Sequence, residues 1–309
     1  MLIGIMLAAV LTAAPAADVS PDQIPRGGRN ISAFSVDTTT TFQEVKAIVE
    51  QNLRRNKCKH AFEEYLMILD ELADSQRYRV VTGRDFQQTT DPSKVIVYLR
   101  HDVDGDPFTA LKMSEEEKKR GLSASYYFRP TSWYYGKQLP DGVARYACMD
   151  DLYRKIRDNG HEIGVHTDLF NAMLLWDIDP VVFQQQELKY YRENGFDVVG
   201  GVSNGSAMLA QLGKKMNRKF NNTYIFSEFG QSGSLVYRGK YYEYGKHALA
   251  DFGFAYEGYR LGQNQSFSDI GGRKNGAEYV AKFRSFVPGD KVSFLTHPMH
   301  WGSRPEPAK

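Results

Sequence analysis

Residues 95–106 read V-I-V-Y-L-R-H-D-V-D-G-D. Val95 to Leu99 form a short unbroken apolar run, the pattern of a strand buried on both faces. The run leads directly into Arg100-His101-Asp102-Val103-Asp104-Gly105-Asp106. Phe108 to Lys119 then follows a helical pattern, and Gly121 stops it. Ser123 to Phe128 (SASYYF) reads as a second strand. The same rhythm continues with a helix from Asp150 to Asp158 ended by Gly160, and a strand from His161 to His166. Asp179-Pro180 opens a helix that runs to Glu193 and ends at Gly195, before a strand from Val198 to Val202. Near the C-terminus, Glu278 to Phe286 is helical and Val292 to Leu295 is a strand. Strands alternating with glycine-ended helices are the signature of a parallel β/α architecture. Residues 212–276, rich in Tyr, Phe and Gly, carry no clear period and are expected to hold β/α units with long loops.

Outside this core the pattern changes. From Phe42 to Asp74 it turns helical, with Phe62, Tyr65, Leu66, Leu69, Leu72 and Ala73 on one face. Residues 41–94 are therefore expected to form a helical extension packed on a domain spanning 95–302. Residues 18–40 hold Pro21, Pro25, Gly27, Gly28 and a threonine run, and read as a linker. Residues 1–17 are uncharged and almost wholly apolar up to Ala14-Pro15-Ala16, which reads as an export signal. An uncleaved anchor is the alternative, although the stretch is short for a span of about 20 residues.

The chain has 309 residues, enough to bury a full-sized core. Lys and Arg number 39 against 37 Asp and Glu, a net charge of +2 with no long basic run, which argues against a nucleic-acid partner. Aromatic residues make up 13 %, which suits both a core and a sugar-binding groove. Cys58 and Cys148 are too few for a disulfide scaffold, and one bridge between them is open in an oxidising compartment.

The chemistry gathers at strand ends. Of seven histidines, His101, His161, His166, His297 and His300 lie at or near the ends of three expected strands, where parallel β/α folds build their sites. Asp102, Asp104 and Asp106 repel one another unless a positive charge stands among them; a divalent metal and a hydrogen-bonded turn are the two readings. In Gly160-His161-Glu162-Ile163-Gly164-Val165-His166-Thr167-Asp168, His166 is placed as a ligand or acid/base, while His161 starts the strand and reads as structural. Phe294-Leu295-Thr296-His297-Pro298-Met299-His300-Trp301 delivers another histidine at a strand end, with an aromatic that could floor a sugar ring.

This order of motifs resembles the polysaccharide deacetylases, the family-four carbohydrate esterases, from about Val95 to Trp301. Phe267-Ser268-Asp269-Ile270-Gly271-Gly272 is similar to a late loop in an atypical branch of that family. The resemblance implies an α/β fold of the deformed (β/α) barrel kind, seven-stranded, with a divalent metal, zinc first among them, at its carboxyl end. It implies Asp102 as general base, Asp104 and His166 as metal ligands and His297 as general acid. Asp269, Arg129 and Trp301 are the candidate substrate contacts, and a carbohydrate polymer or oligosaccharide the candidate partner. Phe170 stands where the family's metal motif has a second histidine, so only two ligands follow from the match; a third could come from Asp168, Asn204, His300 or His297, and without one the chain would be a binding protein or a hydrolase that uses its carboxylates differently. The implied activity is removal of N-acetyl groups from an amino-sugar polysaccharide. A non-catalytic carbohydrate-binding protein on the same scaffold is the alternative, using Trp133, Tyr134, Tyr135 and Trp301; a metal-free glycosidase ranks last.

Overall fold

The computed structural model describes residues 24–31, 33–54, 58–270 and 274–302. The expected export segment 1–17 lies outside them. In chain order the elements begin with β1 (Phe34–Asp37), α1 (Phe42–Leu53), α2 (Phe62–Leu72), β2 (Tyr78–Val81), α3 (Gly83–Phe86), β3 (Val95–Val103) and α4 (Pro107–Lys119). Then come β4 (Ser125–Phe128), β5 (Gly136–Leu139), β6 (Gly142–Tyr146), α5 (Asp150–Asp158), β7 (Glu162–Thr167), α6 (Leu169–Trp176), α7 (Pro180–Glu193) and β8 (Gly200–Ser203). The chain continues through α8 (Ala207–Lys215), β9 (Gly233–Tyr237), β10 (Lys240–Tyr244), β11 (Tyr256–Glu257), β12 (Gln265–Ser268), α9 (Gly276–Arg284) and β13 (Lys291–Thr296).

The apolar strand read first, β3, is buried along its whole length and sits in the middle of the main sheet. That sheet is parallel throughout, in the order β11-β8-β7-β4-β3-β13-β12, with β2 alongside the first half of β3. Alternate residues of β3 serve two cores. Val95, Val97, Leu99 and Val103 pack outward in the large cluster under the helices. Ile96 and Tyr98 face inward with Tyr127, Val202, Tyr256 and Leu261.

The inner cluster requires the sheet to curl. In a flat sheet, β3 and β11 would stand four strand spacings, about 19 Å, apart. Instead the Tyr98 hydroxyl donates to that of Tyr127 at 2.6 Å, and the hydroxyls of Tyr127 and Tyr256 lie 2.7 Å apart. Tyr127 fits because β7 carries a glycine beside it; a Cβ on Gly164 would lie 2.4 Å from the Tyr127 ring. The result is a half-barrel. Among the described residues no ladder joins β11 to β12, so the expected deformed barrel takes the form of a curled sheet with an open seam.

Local signals explain most helices. Asp106 caps α4, accepting from the Thr109 amide at 3.0 Å, with Pro107 in the first turn. Asp179 caps α7 in the same way, and Thr41 and Glu44 form a capping box at α1. The expected helical extension is two helices, α1 and α2, and α2 packs against α9 and α4. Two expected boundaries shift. β2 joins the main sheet from within 41–94, and the segment read as a linker contains β1, which pairs in parallel with β6. The strand β6 also pairs with β5 as a hairpin, and β9 with β10 as another. No disulfide joins Cys58 to Cys148. Among the described residues no helix is long and apolar enough to cross a membrane.

Candidate active site

The inward periodicity of β3 carries Arg100 and Asp102 to the mouth of the half-barrel. Arg100 Nε donates to Asp102 Oδ1 at 2.8 Å and Nη2 to Oδ2 at 2.6 Å, a two-pronged bond out of solvent. Burial alone would raise the Asp102 pKa. The charges of Arg100 and His166 and the Arg100 hydrogen bond outweigh it and keep the carboxyl below its ordinary value.

On β7, His166 turns Nδ1 to the Val202 carbonyl of β8 at 3.0 Å. A carbonyl only accepts, so Nδ1 carries a proton, and Nε2 is the atom left to donate to a carboxylate or to ligate a cation. That Nε2 lies 3.5 Å from Asp104 Oδ1 and 3.6 Å from Asp102 Oδ2. Two carboxylates at that distance call for a positive charge between them, either a proton on Nε2 or a cation. Two ligands bonded at 2.0–2.2 Å to a tetrahedral zinc stand about 3.3–3.6 Å apart, which matches the His166–Asp104 separation. Burial pushes the Asp104 pKa up, but His166, His297 and Arg129 outweigh it and hold the carboxyl well below the usual range.

The open question of a third ligand is narrowed by hydrogen bonding. Asp168 is committed: Oδ1 accepts from Asn222 Nδ2 at 2.7 Å, and Oδ2 from Arg129 Nη2 at 3.0 Å and from the Thr131 hydroxyl. Phe170 is buried on α6, its ring 5.0 Å from that of Tyr244. Asn204 differs. It extends the β8 ladder by donating its amide to the Thr167 carbonyl at 2.8 Å, one residue beyond His166. Its side-chain Nδ2 is buried with no hydrogen-bond partner. Turned over, that amide would offer its oxygen instead. The His166–Asp104 spacing fits a divalent cation held between them, and the orphaned Asn204 amide, at the end of the strand beside β7, is the candidate third ligand. One feature opposes it: Arg129 Nη1 lies 3.4 Å from Asp104 Oδ1.

The strand β13 delivers His297. Its Nδ1 lies 2.6 Å from Asp269 Oδ1, and its backbone N–H donates to Asp269 Oδ2 at 2.7 Å. Burial would lower the His297 pKa; Asp269, with Asp102 and Asp104, overrides it and raises the value. The free Nε2 lies 4.0 Å from Asp104 Oδ2. His300 Nδ1 lies 3.2 Å from Asp269 Oδ2. Asp269, His297 and His300 thus form a group whose ligating atoms lie within 4.8 Å of one another, close enough to hold an ion. Asp269 is already crowded with donors, however, because Trp301 Nε1 also donates to Oδ2 at 2.9 Å. His300 Nδ1, in turn, is buried without a hydrogen-bond partner, so this group too has the make-up of a metal site.

Asp102, Asp104, His166 and His297, expected from three distant stretches, therefore meet at one mouth. The expected substrate contacts are revised. Trp301 is 0 % exposed, its ring stacked 4.4 Å from that of His60, so it cannot floor a sugar. Asp269 is buried and orients His297 rather than meeting substrate. Tyr134 and Tyr135 are buried too, leaving half-buried Trp133 beside Gly105. Arg129 stays partly open, bridging Asp168 and Asp104. His161 is structural as expected, with Nε2 2.9 Å from the Ser114 carbonyl. His101 faces the outer core, where Nε2 lies 2.8 Å from buried Glu117 and Nδ1 2.5 Å from Thr296.

Two neighbours of the site were not foreseen. Glu257 is buried at the end of β11 and accepts the amides of Ser203 and Tyr259, each at 2.8 Å. Tyr259 lies with its ring 4.3 Å from the Arg100 guanidinium. Neither has a sequence signal, because both belong to the segment without a period. The partnership of Arg100 with Asp102 did have one, since residues two apart on a strand share a face.

No family model and no curated protein matches the chain. A family 4 carbohydrate esterase from Bacillus anthracis is similar in structure over 74 % of this chain and 76 % of its own, at 16 % identity and a TM-score of 0.33. At that level of likeness, the functional reading rests on the geometry of the mouth.

Proposed function

We propose that the chain is a hydrolase that removes N-acetyl groups from an amino-sugar polysaccharide with the help of a divalent metal, zinc being the first choice. One observation carries the reading: an arginine-held carboxylate, a histidine anchored through Nδ1 with Nε2 toward the carboxylates, and a carboxylate-held histidine converge on Asp104. Asp104, His166 and Asn204 would hold the metal. When bound, such an ion polarises an acyl oxygen and acidifies a water.

The chain's own residues supply the remaining chemistry. Asp102, kept ionised by Arg100, accepts the proton of the attacking water. Its lowered pKa makes it a modest base, suited to a water that is already acidified. His297, with Nδ1 bonded to Asp269, holds a proton on Nε2 and gives it to the departing amine. Without that proton the amine is a poor leaving group. The apolar 1–17 segment supports export as part of this proposal.

The experiment is metal analysis of the purified full chain, together with acetate release from N-acetylglucosamine oligomers before and after chelation. The expected result is bound divalent metal, and release that chelation abolishes and zinc restores. A metal-free chain whose activity ignores chelators would end the metal reading. The second reading, a carbohydrate-binding protein with a degenerate site, draws on the Arg129 guanidinium beside Asp104. It expects glycan binding that chelation leaves unchanged, with no acetate released.

A further inference from the structure

Tyr259 follows β11 at the rim of the half-barrel, and the aromatics first considered for sugar binding nearby are wholly or half-buried. It alone among the rings discussed at the mouth is open, at 47 % exposure. Its position is set by three contacts. The ring lies 4.3 Å from the Arg100 guanidinium, which is itself buried and forks onto Asp102. The Tyr259 amide donates to Glu257 Oε2 at 2.8 Å. The residue before it must be glycine, because a Cβ on Gly258 would lie 2.3 Å from Val202 Cγ1. The backbone is thereby pressed onto the inner core, and the ring has little freedom to leave the rim.

A ring fixed this way has one side against a buried cation, so its exposed surface lies away from Arg100. A pyranose ring presents a row of C–H groups on its flatter face. Those weakly positive hydrogens match the negative face of an aromatic ring, and the sugar hydroxyls stay in water. We propose that Tyr259 is a sugar-ring platform that seats one residue of an amino-sugar polymer beside Asp102. The proposal deepens the deacetylase reading and rests on it for the class of ligand. Tyr259 is a positioning residue: it touches the sugar, and its contact with Arg100 ties the seated ring to the carboxylate that receives the proton.

The test uses the purified full chain and a tetramer of N-acetylglucosamine. Calorimetry gives its Kd for wild type, Tyr259→Phe and Tyr259→Ala, and thermal unfolding confirms that each variant is folded. Tyr259→Ala is expected to weaken binding about 10-fold, equal to about 1.4 kcal/mol. Tyr259→Phe, which keeps the ring, is expected to stay within about 2-fold. Equal affinity in Tyr259→Ala and wild type overturns the proposal, as does equal loss in both variants, or a wild type that binds no tetramer. An unchanged Kd with a shifted acid limb of acetate release also overturns it, because Tyr259 would then act only through Arg100. The two readings fail separately. Acetate release with undiminished binding in Tyr259→Ala sinks the platform and keeps the hydrolase. Binding that needs Tyr259, without acetate release, keeps the platform and sinks the hydrolase.

Discussion

Replacing Glu187 by glutamine should remove a large part of the pH dependence of stability. Glu187 is on α7 and fully buried. The Tyr135 hydroxyl donates to one oxygen and Gln184 Nε2 to the other at 2.8 Å. Nearby, Arg145 is surrounded by the rings of Tyr135, Tyr153, Tyr190 and Tyr191 at 4.6–5.2 Å, and its charge is met by Asp150 at 2.6 Å. Burial pushes the Glu187 pKa from 4.5 to about 7, and the two hydrogen bonds and Arg145 only partly oppose it. Between those values the folded chain keeps the proton and the unfolded chain has released it. Unfolding free energy therefore falls as pH rises through this window, by about 1.4 kcal/mol per pH unit at most and about 3 kcal/mol in all. Glutamine is neutral at every pH and has nearly the same shape. Urea unfolding of both proteins from pH 4 to pH 8 is the assay. Wild type should lose about 3 kcal/mol relative to Glu187→Gln between pH 4.5 and 7, then run parallel to it. Parallel curves across the whole range would refute the argument that desolvation dominates at Glu187.

The remaining expectations concern the mouth. Asp269→Asn turns one of two acceptor oxygens into a donor, where Oδ1 faces the His297 ring N and Oδ2 its amide and the Trp301 indole, and should cut kcat by about 10²-fold or more with little change in KM; a preserved kcat would remove His297 as the acid. Arg100→Met leaves Asp102 buried without its partner and should cost about 3–5 kcal/mol in urea unfolding, whereas a neutral effect would show that Asp102 does not depend on Arg100. Asn204→Ala should weaken retention of zinc against a chelator by about 10-fold or more, and unchanged retention would exclude Asn204 as a ligand. His60→Ala should loosen the stack on Trp301 and lower kcat more than it raises KM; an effect on KM alone would show that the His60–Trp301 stack does not position His297.

Much of this architecture was legible in the chain. The unbroken apolar run at Val95, the capping Asp106 and Asp179, and the glycines after α4, α5 and α7 are local signals, and they placed β3, α4, α5 and α7 closely. Asp102, Asp104, His166 and His297 were legible because strand ends deliver them. The role of Asp106 was not, since an acidic residue can serve a metal or an amide, and only the Thr109 bond decides. The long segment from α8 to β12 escaped because short strands and tight turns have no period to read. Trp301 and Asp269 were read as substrate contacts because a sequence records residue type and spacing, not which side is covered. The covering residue, His60, stands far away in the chain.

By itself, then, the amino-acid order determined the parallel β/α alternation, the two faces of β3 and the histidines that end its neighbours. Backbone periodicity and helix capping act over a few residues, and so they can be read locally. Tertiary structure alone decided that the barrel stays open, that Arg100 locks Asp102 under Tyr259, and that Asp269 turns His297 rather than a sugar. The first is a matter of which strand edges meet. The other two depend on burial and donor–acceptor partners brought together by the curl of the sheet, for which no short-range pattern exists.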